Sequence, residues 1–297
     1  MRLCKEHFIE FFEKRVKRTV ERYKMIEPSD RVAVAVSGGK DSVSLLYVLR
    51  KLSQVMGFKL VGIHVNLGIG EYSKRALDLV LRAFKSMDIE YFVVSLKDEY
   101  GFSVEELVKK FRRRTACSLC GTVKRYILNK IAYEARATKL ATGHNLDDFA
   151  EKIIMNMFRG SYEQLAKLSP TLPSLHERMI AKIKPLAETP ERDVKLYVQL
   201  NNISFLKIKC PFSQEALSLE LKSLLDSFER NHPGAKISLV RHFFKRMHPV
   251  LQEIFQIQTP IKTCKICGFP SSHDLCSFCK IRMRVLQNSP KKSDPQH

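Results

Sequence analysis

Apolar residues recur along this chain in two rhythms. Between residues 5 and 24, Phe8, Phe12, Val16, Val20 and Tyr23 stand three to four positions apart, while Lys14, Arg15, Lys17, Arg18 and Arg22 fall largely away from them. That spacing predicts an amphipathic helix. From residue 31 short apolar runs alternate with helical periods. RVAVAVS (31–37), KLVGIHVN (59–66), EYFVVSL (90–96) and KLATGHN (139–145) predict strands; 42–56, 73–87, 103–114, 119–135 and 146–160 predict helices. Strands alternating with helices predict parallel βαβ units in a doubly wound α/β sheet.

After Gly160 the pattern weakens. Residues 168–175 and 182–192 read as proline-punctuated connections, and 213–234 as a helix stopped at Pro233-Gly234. The chain then divides into an N-terminal helix (1–26), an α/β domain (27–190), a helical extension carrying Cys210 (191–260), a cysteine knuckle (261–285) and a disordered polar tail (286–297).

Charge adds a partner. Fifty-one Lys and Arg against 31 Asp and Glu give +20 over 297 residues, which predicts a polyanionic partner, nucleic acid. Basic residues cluster at 14–22, 109–114, 124–125 and 241–246. The last cluster interleaves Phe243 and Phe244, side chains able to stack on splayed bases, although paired phenylalanines more often belong to a core. No apolar run approaches the about 18 residues of a membrane span, and residues 1–18 lack a secretory apolar region. The expected location is the cytoplasm, where eight cysteines argue for metal or redox chemistry rather than disulfides.

The first strand runs into Ser37-Gly38-Gly39-Lys40-Asp41-Ser42. Successive N–H groups in a glycine turn at a helix N-terminus form an anion nest, and Lys40 adds a full charge. A Walker A loop is excluded, since Val34 stands where its first glycine belongs and Asp41 follows the lysine. The string resembles the PP-loop of ATP pyrophosphatases, which implies cleavage of ATP between the α and β phosphates and adenylation of a carbonyl oxygen. ATGHNLDDFAE (141–151) occupies a second strand-to-helix junction. Asn145 there suits a helix cap, with Asp147 and Asp148 at the positive end. By the PP-loop resemblance, Gly143 lets a nucleotide approach and Asp148, ahead of Asp147, holds Mg²⁺ or orients the acceptor. His64, ending the second strand, either offers its backbone to adenine or is packed.

Cys264-x2-Cys267 and Cys276-x2-Cys279 fit a closed tetrahedral structural zinc site. Cys117-x2-Cys120 opens a helix beside arginines, a setting expected to lower thiol pKa; Lys124 lies one turn further on. Alone, that pair suits a redox couple, half a zinc site or a cluster.

Taken in order, SGGKDS, CSLCGTVKR, GHNLDD, the Cys210-Pro211 pair and the terminal knuckle resemble the TtuA/TtcA-type PP-loop tRNA thiolases over residues 3–279, and among them the 2-thiouridine synthetases of the T loop, position 54. The resemblance implies a [4Fe-4S] cluster on Cys117, Cys120 and Cys210, with one iron free to carry sulfur. It makes Cys117, Cys210, Lys124 and Asp148 the catalytic residues. ATP is set against Ala35, Ser37, Gly38, Gly39, Lys40, Asp41, Ser42, His64, Lys124 and Gly143. The C2 oxygen of a uridine is adenylated and replaced by sulfur. The donor is a ubiquitin-like thiocarboxylated carrier or another sulfide source; a homodimer and persulfide chemistry stay open. Relatives begin with CxxC and CxxH, where this chain has Cys4-x2-His7, half a zinc site: the first pair is lost, or the start lies upstream. Alternatives are thiolation of uridine 34 or cytidine 32, an amidating ligase, and a non-catalytic zinc RNA-binding protein with a vestigial loop.

Overall fold

The structure, a computed structural model, describes residues 3–111, 114–213, 216–255 and 261–287. Six strands form the main sheet: β1 (Arg31–Ala35), β2 (Lys59–Asn66), β3 (Glu90–Ser95), β4 (Lys139–Ala141), β5 (Thr171–Leu172) and β6 (Ala181–Ile183), in the order β3-β2-β1-β4-β6-β5. All neighbours pair parallel except β5, which runs antiparallel to β6 at one edge. The chain leaves β1 for β2 and β3 on one side and then crosses to β4 on the other. That reversal opens a crevice beyond the carboxyl ends of β1 and β4, where ligands of doubly wound sheets bind.

Helices cover both faces. On one side lie α1 (Lys5–Arg22), α2 (Lys40–Met56) and α3 (Gly70–Ser86), with α9 (Glu191–Leu200). The expected helical period of α1 is its core face: Phe12, Val16 and Val20 are buried, and Phe12 stacks on Tyr197 of α9 with ring centroids 4.1 Å apart. The other side carries α4 (Leu96–Tyr100), α5 (Val104–Lys110) and α6 (Ala116–Glu134). Helix α4 was not expected; Ser95 caps it and Gly101 ends it in the left-handed region, so the run through Leu96 is split. Helix α5 begins on a capping box between Ser103 and Glu106 and stops before Phe111; Arg112 and Arg113, within the expected 103–114 helix, lie outside the described residues.

A third apolar cluster joins α7 (Leu146–Phe158) and α8 (Tyr162–Ala166) to α10 (Ala216–Asn231), α11 (Ala235–His242), a π-helical turn (Phe243–Met247) and α12 (His248–Phe255). Phe243 and Phe244 belong here, in a core rather than on a base-stacking face. Phe243 is buried, and Phe244 meets Phe149 edge-on at 5.3 Å, so both rings serve packing. Buried Glu188 fastens this cluster to α1, accepting from Arg22 at 2.8 Å, Tyr23 at 3.2 Å and Arg241 at 2.6 Å.

The expected connections at 168–175 and 182–192 contain β5, the end of β6 and the start of α9. Strands this short carry no readable period. At the C-terminus, β7 (Lys262–Thr263) and β8 (Pro270–Ser271) pair antiparallel ahead of α13 (Ser277–Leu286). Most of the expected disordered tail, 288–297, lies outside the described residues. Among those described, no helix is long and apolar enough to cross a membrane.

Candidate active site and metal centres

The loop after β1 is held by its own serines. Ser42 Oγ takes the Ser37 N–H at 3.1 Å, stands 3.1 Å from Ser37 Oγ and donates to the Gly39 carbonyl at 3.0 Å. Gly38 adopts φ +89°, a left-handed conformation that favours glycine. Lys40 Nζ pairs with Asp41 at 2.9 Å and Glu191 at 2.7 Å. Burial pulls its pKa down, but the two carboxylates outweigh that and hold it above the ordinary value.

Beneath the loop lies a cavity of about 520 Å³. Of the expected nucleotide residues, Ala35, Ser37, Gly39, Asp41, Ser42, His64, Lys124 and Gly143 line it; Gly38 and Lys40 do not. His64 is buried, with Nδ1 2.8 Å from the Val36 carbonyl and Nε2 without a partner. Burial lowers its pKa, so the ring is neutral. With Nδ1 donating to the carbonyl, Nε2 is an unused acceptor.

Asn145 couples the two motifs. Its side-chain oxygen caps α7, accepting from the N–H groups of Asp147 at 3.0 Å and Asp148 at 3.1 Å, while Nδ2 donates to Asp41 at 3.0 Å. Gly143 lines the cavity and also serves packing: a Cβ there would lie 3.0 Å from backbone atoms of Asp41 and Ser42, so glycine lets the two loops touch. Asp147 is buried, tied to the Lys236 ammonium and to the Glu191 N–H at 2.6 Å. Asp148 keeps 24% side-chain exposure and pairs with Lys222 at 2.7 Å. Burial raises the Asp148 pKa, yet Lys222 and the Asn145 N–H outweigh it and hold the carboxyl below its usual range. His144 stands 2.9 Å from Thr142 Oγ1; burial, then the charge of Lys152, lowers it to about 4.

The three expected cluster ligands come from two distant segments. Cys117 and Cys120 occupy the first turns of α6, capped by Thr115. Cys210 arrives on a strand-free segment pinned to the phosphate loop by the Leu206 N–H, which donates to the Gly38 carbonyl at 2.8 Å. The exposed Cys117 thiol reaches the Phe212 carbonyl at 3.6 Å. Cys120 feels the charges of Lys124, Cys210 and Cys117. Its pKa departs from expectation: burial pushes the thiol up and Lys124 offsets only part of this. The helix N-terminus and arginines do not prevail, because Cys120 packs against the apolar cluster beneath α6.

The terminal four cysteines are drawn much tighter. All four sulfurs lie within 4.8 Å of one another, the one group of three or more such donors among the described residues. Cys276 N–H donates to Cys264 Sγ at 3.3 Å and Cys279 N–H to Cys276 Sγ at 3.4 Å. Four thiols converging on one point fit a tetrahedral zinc ion. Cys117, Cys120 and Cys210 do not meet that criterion. Cys120 feels the charges of Cys117 and Cys210, so the three thiols are neighbours, and three thiolates are a donor set that suits an iron–sulfur cluster. Cys4 Sγ lies 3.1 Å from His7 Nδ1 on the exposed start of α1 and joins no group of three donors among the described residues.

Much of the expected basic footprint is internally paired: Lys14 with Glu10, Arg15 with Asp193, Lys17 with Glu21, and Arg22 and Arg241 with Glu188. Lys124 and Arg125 instead line the cavity. Sequence reasoning missed Glu191 and Lys222, which bracket Lys40 and Asp148. No local motif marks either.

The family pattern described as the PP-loop domain matches residues 9–209. The chain is 41% identical over 280 residues to the tRNA-5-methyluridine(54) 2-sulfurtransferase of Pyrococcus horikoshii, covering 94% of this chain and 87% of that one. It is 39% identical over 290 residues to the Thermus thermophilus protein of the same name, covering 98% and 88%. Among solved structures, the U34-tRNA thiolase NcsA from Methanococcus maripaludis with its [4Fe-4S] cluster superposes with a TM-score of 0.79 at 32% identity, over 97% of this chain and 90% of that one. With its phosphate loop, its crevice at the β1–β4 switch and this likeness along nearly its full length, the chain belongs to the PP-loop family and, within it, to the TtuA-type tRNA sulfurtransferases.

Proposed function

We propose that this protein uses ATP to replace the C2 oxygen of a tRNA uridine, at position 54 of the T loop, with sulfur. One observation carries the reading: the segment bearing Cys210 is hydrogen-bonded to the phosphate loop through Leu206 and Gly38, and its Phe212 carbonyl meets Cys117, so thiols and phosphate cradle share one rim. A plain amidating ligase has no use for thiols there.

In this reading the N–H groups of 37–42 hold the β and γ phosphates, and ATP competes with Glu191 and Asp41 for Lys40. His64 Nε2 accepts from the exocyclic amine of adenine. Lys124 offers its charge to the α phosphate and the Cys120 side of the cavity together. Asp41 and Asp148, linked through Asn145, are the carboxylates available to Mg²⁺, with phosphate oxygens completing its shell. The uracil O2 attacks the α phosphorus and pyrophosphate leaves. Sulfide then adds at C2, and AMP departs with the former O2. Cys117, Cys120 and Cys210 would hold a [4Fe-4S] cluster, which supplies an iron without a protein ligand to carry that sulfur. The donor is a ubiquitin-like carrier with a C-terminal thiocarboxylate, or free sulfide. Zinc on Cys264, Cys267, Cys276 and Cys279 is structural: a closed set of four leaves no position for substrate. Position 54 follows the more similar relatives; NcsA, at lower identity, makes uridine 34 the second reading.

The test is an anaerobic incubation of cluster-loaded protein with unmodified tRNA, MgATP and sulfide, followed by nucleoside mass spectrometry. A 2-thiouridine or its 5-methyl derivative mapped to position 54 is expected. Absence of any thionucleoside with confirmed cluster loading rejects the reading, and sulfur at position 34 moves it to the second.

A further inference from the structure

A second cleft, of about 370 Å³, lies between α6, β6 and the terminal cysteine knuckle. Its walls carry two cations, Arg125 from α6 and Lys182 from β6, and no carboxylate. Neither cation makes a side-chain hydrogen bond or ion pair among the described residues. They face one another closely enough to interact: burial, then the charge of Arg125, lowers the Lys182 pKa. A half-buried Lys182 beside an exposed Arg125, with no carboxylate on the walls, leaves a cationic cleft that an anion would suit. The floor is aromatic. Tyr126 stacks on Phe278 with centroids 3.9 Å apart, and Phe269 meets Tyr126 at 5.8 Å. Ser271 and Ser272 of the knuckle add hydroxyls at the rim.

The cleft is not isolated. Arg125 lines both it and the nucleotide cavity. The Arg125 guanidinium lies over Gly121, where a Cβ would stand 3.2 Å from it. Arg125 therefore joins the two spaces, with Lys182 on the far side.

We propose that this cleft is a phosphodiester-binding site for the RNA substrate, taking one backbone phosphate between Arg125 and Lys182 with its sugar over Tyr126 and Phe269. The inference rests on tRNA being the substrate and adds where the strand leaves the active site. It also gives the knuckle a second purpose, as one wall of an RNA groove. A free nucleotide offers the same phosphate chemistry, and the test separates the two sources.

Full-length, metal-loaded protein is titrated into fluorescently labelled, unmodified tRNA over a series of salt concentrations, and separately into labelled ATP. Lys182→Met keeps the packed stem and removes the charge. It should weaken tRNA binding about fivefold and lower the slope of log K against log salt by about 0.7–0.9, leaving ATP affinity unchanged. Ser272→Glu, on the exposed rim, should weaken tRNA binding likewise without touching the sheet. Both variants binding tRNA with wild-type affinity and slope would overturn the cleft while leaving the functional reading intact. Loss of ATP affinity equal to that for tRNA would assign the cleft to free nucleotide. Failure of the wild-type protein to bind tRNA overturns both.

Discussion

Two sets of cysteines in this molecule are built by opposite means. The terminal four come from a stretch of sixteen residues, Cys264–Cys279, with sulfurs within 4.8 Å of one another and N–H groups already donating to them. Cys117, Cys120 and Cys210 come from segments 93 positions apart at the extreme, and only docking of the Leu206–Phe212 stretch on the phosphate loop and on Cys117 brings them together. The local set closes on itself and suits a structural metal. The assembled set stays open, with Cys117 exposed. An open site is what the proposed sulfur transfer needs, and its cost is dependence on the whole fold.

The difference is sharpest on removal of one thiol from each set. Cys210→Ala should abolish the visible iron–sulfur absorbance and thiolation while leaving zinc content and thermal stability close to wild type; retention of the absorbance would take Cys210 out of the site. Cys276→Ala should do the converse to the metal, losing the zinc and destabilising the knuckle by about 4 kcal/mol or more, since metal binding is the folding energy of so small a unit. Metal analysis and chemical denaturation check both. An intact zinc signal would mean that the four cysteines do not form one site.

The assembled site also rests on contact between its two loops. Gly143→Ala forces a Cβ against the Asp41–Ser42 backbone, so a loss of about 2 kcal/mol and an about tenfold rise in KM for ATP are expected. Unchanged ATP kinetics would show that the loops tolerate separation. The smallest effect is one of pH. His144 is held at about 4, below its ordinary value, so the unfolded chain binds more protons between pH 4 and 6.5. Its contribution is complete above pH 6.5 and is lost as pH falls toward 4. Denaturation of His144→Gln should show a shallower fall over that window. A slope equal to wild type would remove His144 from the account.

The legible part of the molecule is the part written in local code. The strands and helices of residues 31–95 follow from apolar runs and helical periods, and the phosphate loop and terminal cysteines follow from short strings. What stayed hidden depends on distance along the chain. β6 is three residues long, too short to show a period, yet it supplies Lys182 to the second cleft. Glu191 reaches Lys40 across 151 positions and Lys222 reaches Asp148 across 74, and nothing nearby announces either pairing. Phe243 and Phe244 were open to two readings from their basic neighbours, a base-stacking face or a core, and the third apolar cluster, assembled from distant helices, takes both rings. The Cys120 thiol was expected to be acidic from its position on the helix, and burial reversed the sign.

The central claim is that the phosphate loop activates a carbonyl oxygen of RNA so that sulfur can replace it. The most direct measurement uses tRNA assembled with ¹⁸O at the C2 oxygen of uridine 54, incubated anaerobically with the cluster-loaded protein, MgATP and sulfide, with the released nucleotide analysed by mass spectrometry. The account predicts one ¹⁸O in the phosphate of AMP for each 2-thiouridine formed. Label retained in the RNA or released to water, with AMP unlabelled, would contradict it.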